Sequence, residues 1–97
     1  LIKTPEYSKN NNWLNIIRFN NINYNKIIRI HNLLMKKGID TRPVWYLNHL
    51  QKPNRNCAVY KIINAKKLND SSLCLPSSPV LTKKNLKKIT DEIINLF

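Results

Sequence analysis

Glycine is almost missing from this chain: Gly38 is the only one in 97 residues. The Gly-rich phosphate loop and the dinucleotide-binding fingerprint each need several glycines at fixed spacing, so both are excluded. Acids are scarce as well. Glu6, Asp40, Asp70, Asp91 and Glu92 are too scattered along the sequence to suggest a catalytic carboxylate pair. The two cysteines, Cys57 and Cys74, form no CxxC unit and have no His at ligand spacing, so no metal site is expected. They can in principle join as a disulfide, but two buried thiols in a reducing cytoplasm is the preferred expectation. No apolar run approaches the roughly 18–20 residues needed to cross a membrane. The start, Leu1-Ile2-Lys3-Thr4-Pro5, has neither an initiator Met nor the long apolar segment of a signal peptide. It reads as a chain entered mid-phrase, which predicts a piece of a longer cytoplasmic protein.

Against those absences stands a net charge of +12. Clustered cations favour polyanions by releasing counterions from phosphates, so nucleic acid enters as a candidate partner. However, Asn, Lys and Ile fill 42 of the 97 positions, and all three have AT-rich codons. Base composition therefore accounts for much of the lysine excess, though not for the shortage of acids. A basic domain resting on a more acidic partner domain would account for it, and so would an anionic ligand. With 42% apolar residues, the chain has the ordinary content of one small folded domain.

Residues 1–12 are polar and Asn-rich and read as a linker entering that domain. Trp13 to Phe19 alternates as a strand, with Trp13, Asn15, Ile17 and Phe19 on one face and Leu14, Ile16 and Arg18 on the other. The Asn-rich turn at 20–23 offers N-caps. From Tyr24 to Lys37, Ile27, Ile30 and Leu34 recur at helical spacing, and Lys36-Lys37-Gly38 closes the helix. A strand over about 39–44 follows. After a breaker at 52–56, a second helix is predicted over about 57–68, with Ala58, Ile62, Ala65 and Leu68 as its stripe. Leu73-Cys74-Leu75 is a short strand stopped by Pro76. Thr82 caps a last helix that should bury Leu86, Ile89, Ile93 and Leu96 or Phe97. This order implies an α/β fold, a small α/β sandwich in which a short sheet carries helices mainly on one face.

Chemistry-bearing residues crowd into Gly38 to Gln51. This run holds Arg42, one of four arginines in a chain that otherwise relies on Lys, together with Trp45, Tyr46, Asn48, His49 and Gln51. A guanidinium is a planar fork suited to carboxylate or phosphate, although a surface salt bridge is the plain alternative. Trp45 can equally be simple packing. His49, lying in the polar loop, is a ligand-contact candidate, whereas His31 on the first helix reads as a boundary residue. No Ser-His-Asp or Cys-His arrangement is suggested, so no residue here is assigned as catalytic.

In order, these pieces resemble the C-terminal small domain of the DegT/StrS-type family of pyridoxal-phosphate nucleotide-sugar aminotransferases. The resemblance rests on Trp13-Leu14, on Lys37-Gly38-Ile39 leading into Thr41-Arg42-Pro43-Val44-Trp45, on Leu47-Asn48-His49-Leu50-Gln51, on Ala65-x-x-Leu68 through Leu73-Cys74-Leu75-Pro76, and on Val80-Leu81-Thr82. Arg-Pro-Val-Trp with Leu-Pro-Ser-Ser is similar to the branch that aminates UDP-linked 4-keto sugars. The sequence departs from the family at Leu47-Asn48, where Pro-Leu is frequent, and at Lys83-Lys84, where acids usually follow the Thr cap.

The resemblance implies that residues 13–97 are the small domain of a fold-type I enzyme and that the large pyridoxal-phosphate domain lies outside this chain. It implies a homodimer in the full-length form, with Arg42, Trp45 and His49 on the nucleotide-sugar side of the site, and no transamination by this segment alone. Two other readings stand beside it: a free-standing basic module for RNA or another polyanion, and a remnant without activity.

Overall fold

Asn23 starts the longest helix. In the computed structural model, which describes residues 4–11 and 13–96, its side chain accepts from the Lys26 N–H at 3.0 Å and opens α1, Tyr24–Lys36. The helix stops where Gly38 takes φ +74°, a left-handed conformation that costs glycine little. The same logic opens α3, Lys83–Ile94, where Thr82 Oγ1 accepts from the Asn85 N–H at 3.2 Å.

Three short strands make one sheet. The strand β3, Ser72–Leu75, lies in the middle, antiparallel to β1, Asn15–Arg18, and to β2, Arg42–Pro43, in the order β1-β3-β2. Leu73 pairs with Ile17 on one side and Pro43 on the other. That row faces the helices, because Leu73 joins Phe19, Ile27, Ile30, Leu34, Ile39, Ile89 and Ile93 in the core, with Ile17, Ile22, Leu75, Leu81 and Leu96 packed against it. Ile16, Cys74 and Arg42 form the adjacent cross-strand row and therefore face the other way. The expected small α/β sandwich, with helices on one face of a short sheet, is what the chain adopts.

Several expectations are corrected. The second helix, α2, runs Ile63–Ser71, six residues later than its pattern suggested. Residues 57–61 are not helical, and Lys61 sits at φ +45°. Ala58, Ala65 and Leu68 consequently form no buried stripe, and the buried residues of α2 are Asn69 and Ser71. The second predicted strand, expected over about 39–44, shrinks to two residues, since Pro43 has no N–H to continue a ladder. Leu86 is exposed, at the margin of the α3 stripe formed by Ile89 and Ile93. Phe97 lies outside the described residues. Cys57 is exposed and Cys74 buried, both free, so the expected pair of buried thiols is half right.

Candidate functional site

Arg42 leaves the sheet at its β2 edge. Its side chain is 79% exposed and its Nη2 stands 3.6 Å from Asp40 Oδ2. An ion pair this exposed contributes little, about 0–1 kcal/mol, and leaves the guanidinium open to an incoming anion. Directly upstream, Thr41 is fully buried and shares a 3.0 Å hydrogen bond with His31 Nδ1 on α1. His31 is half-buried, as its boundary position implied.

Past Pro43 the chain enters a loop tied by its own amides. Two 3-10 turns, Asn48–Leu50 and Lys52–Asn54, follow one another. Gln51 Nε2 donates to the Tyr46 carbonyl at 3.3 Å and to Asn48 Oδ1 at 3.1 Å. Asn54 Nδ2 donates to the Asn48 carbonyl at 3.0 Å, and Arg55 Nε reaches the Leu50 carbonyl at 3.4 Å. Asn48 and Gln51, attractive as ligand contacts in the sequence, instead hold the loop together. The departure at Leu47-Asn48 has a structural use, because a Leu in place of Asn48 would have no side-chain oxygen for Gln51. His49 sits in the first of these turns, half-buried.

Trp45 is fixed at two points. Its carbonyl accepts from Asn69 Nδ2 at 2.8 Å, and its ring meets that of Trp13 with centroids 6.0 Å apart and planes at 47°. Both rings stay largely exposed, at 68% for Trp13 and 62% for Trp45. Neither Trp13 nor Asn69 could be tied to Trp45 by reading spacing, since both contacts are long-range.

Two clefts of the described chain lie elsewhere. One, of about 470 Å³, is lined by Arg18, Phe19, Asn21, Lys67, Asp70 and others. The second, of about 330 Å³, includes Ile39, Pro76, Leu81 and Ile89. Arg42, Trp45 and His49 line neither of these two.

Pyridoxal phosphate does not fit the residues present. Every described lysine is exposed to solvent, and the one carboxylate of the larger cleft, Asp70, is paired with Lys66. Among the described residues none buries an amine beside groups able to clasp a pyridine ring and a phosphate. Among the described residues no group of three or more His, Cys, Asp or Glu could hold a metal ion, and no helix is long and apolar enough to cross a membrane.

Residues 1–94 match the model of the DegT/DnrJ/EryC1/StrS aminotransferase family. Among solved structures, a Streptococcus pneumoniae protein described as a sugar aminotransferase, in its PMP form, superposes with a TM-score of 0.70 at 20% identity. The superposition covers 81% of this chain and 20% of the other, so the chain spans about a fifth of that protein's length. Likeness at this identity speaks for the fold. No curated protein matches the chain.

Proposed function

The chain belongs to the DegT/DnrJ/EryC1/StrS aminotransferase family, and from that premise we propose that it serves as the small domain of a pyridoxal-phosphate-dependent aminotransferase acting on a nucleotide-linked keto sugar. In this reading residues 1–12 are the entry linker and residues 13–97 the domain. A separate large domain holds the cofactor, which when bound takes up and hands on the amino group, and the complete enzyme is a cytoplasmic homodimer. The present chain supplies a wall of the substrate site and no catalytic group.

One observation carries the proposal. The family match runs through a segment in which Arg42 is exposed at the sheet edge while its neighbours are held in place: Thr41 by His31, and Trp45 by Asn69 and Trp13. A nucleotide sugar carries a diphosphate and an amino donor carries carboxylates, and both suit a guanidinium fork. His49 and Trp45 add a hydrogen-bonding group and an aromatic surface for a sugar ring. Exposed Tyr60, Ile63, Val80 and Ile94 are in keeping with a surface made to be covered by another domain.

The test is amino transfer to UDP-linked 4-keto sugars by the complete protein that carries this chain, with the 97-residue chain run alongside. Turnover by the former and none by the latter is expected. Turnover of simple keto acids alone would remove the sugar from the reading. Sequence-discriminating nucleic-acid binding by the chain at ~10⁻⁸ M and physiological salt would favour the basic-module alternative.

A further inference from the structure

Asn69 is buried on a helix that buries little else. Ile63 and Leu68 of α2 are exposed, while Asn69 and Ser71 are its buried residues. Ser71 Oγ turns back on its own helix, donating to the Lys67 carbonyl at 2.7 Å. Asn69 reaches out of its helix to the Trp45 carbonyl, 24 residues away in sequence. Buried side-chain amides are hydrogen-bonded as a rule, but this bond organises a loop rather than the helix that supplies it.

The loop depends on such support. The strand β2 pairs with β3 through Arg42 and Pro43 only, and Pro43 brings no N–H donor to the ladder. On the upstream side the chain is held where Thr41 bonds to His31 of α1. On the downstream side it is held where Trp45 bonds to Asn69 of α2. Arg42 thus lies between two side-chain clamps, one from α1 and one from α2.

We propose that Asn69 is a positioning residue for the substrate surface of Arg42, Trp45 and His49, because it fixes the exit of β2 and thereby the directions in which Arg42 and Trp45 face an anionic sugar ligand. This rests on the substrate reading given above. Asn69 acts on the ligand only through the loop it holds.

The variant Asn69→Asp keeps the size of the side chain but sets an acceptor against the Trp45 carbonyl. In the complete protein it should raise KM for the nucleotide sugar by about 3–10-fold, the equivalent of one net hydrogen bond, and leave kcat unchanged. Amide hydrogen exchange should quicken in residues 44–50 and stay as it was in α1 and α3. Asn69→Gln retains the donor on a longer arm and should recover part of the KM. Should Asn69→Asp fail to fold, Asn69→Ser carries the same readouts with a hydroxyl too short to span the gap. Unaltered exchange in 44–50 would overturn the clamp, as would acceleration spread evenly over all elements. Faster exchange in 44–50 with an unchanged KM would leave the loop clamp standing and overturn the substrate reading, so the two failures are distinguishable.

Discussion

The indole rings of Trp13 and Trp45 meet at 6.0 Å although the two residues are anchored at opposite ends of β3. Ser77, just beyond the strand, donates to the Trp13 carbonyl at 2.9 Å. Asn69, just before it, donates to the Trp45 carbonyl at 2.8 Å. The strands β1 and β2 both run antiparallel to β3 and hence parallel to each other. Trp13 enters β1 and Trp45 leaves β2, so the rings have to lean toward one another along the sheet. Neither ring belongs to the helix-side core.

That contact is measurable by a double-mutant cycle. Aromatic pairs in tilted arrangements contribute about 0.5–1.5 kcal/mol beyond simple area burial. Trp13→Ala and Trp45→Ala should therefore show a coupling of that size in urea unfolding, with both backbone anchors retained. Strictly additive losses would mean that the rings are neighbours without an energetic link.

What the sequence made legible follows how local each cause is. The helix α1 was readable from Asn23 to Gly38, because its caps and its Ile27, Ile30 and Leu34 stripe lie within one short window. So were Thr82 as a cap and Leu73 as a core strand residue. The helix α2 was misplaced because its apolar residues Ile63 and Leu68 are not turned inward, and its buried Asn69 bonds to a carbonyl no window contains. For the candidate site, Arg42 and the loop were visible as a cluster of rare residue types. Trp13 and the His31–Thr41 bond entered only with tertiary structure.

The caps of α1 give a second measurement. Asn23→Ala removes the acceptor of the Lys26 N–H and should cost about 1 kcal/mol. Gly38→Ala meets no atom within 4 Å of its new Cβ, so its whole cost is the φ +74° backbone, about 1–2 kcal/mol. In a domain this size each kcal/mol lowers Tm by about 4–8 °C. A Gly38→Ala protein as stable as the parent would show that α1 can end in another conformation.

The two thiols should separate cleanly. Cys57 is exposed and should react with a disulfide reagent in the native protein, while buried Cys74 should react only on unfolding. Burial also raises the Cys74 thiol above its ordinary value of 9.0. The folded state then holds this proton to higher pH than the unfolded state does. The associated stability is complete below about pH 9 and declines as pH rises beyond it. A Cys74→Ala variant should lose that alkaline decline, and rapid native labelling of both thiols would contradict the burial.

Arg42 and His49 provide the decisive comparison for the substrate surface. Arg42→Lys keeps the positive charge, and the side chain is so exposed that folding has little stake in it. What disappears is the planar double contact to a phosphate or carboxylate. If the guanidinium holds a charged ligand, its loss should weaken substrate binding by about 1.5–3 kcal/mol, the range for hydrogen bonds to charged groups. His49→Ala should raise KM for the sugar substrate as well, without touching the Gln51 and Asn54 bonds that tie the loop. Kinetics and Tm of both variants in the complete protein separate the cases. Raised KM at unchanged Tm places both residues on the substrate. Normal catalytic efficiency in both, or losses that track unfolding alone, would make this loop scaffold and leave the Asp40 pair as the whole role of Arg42.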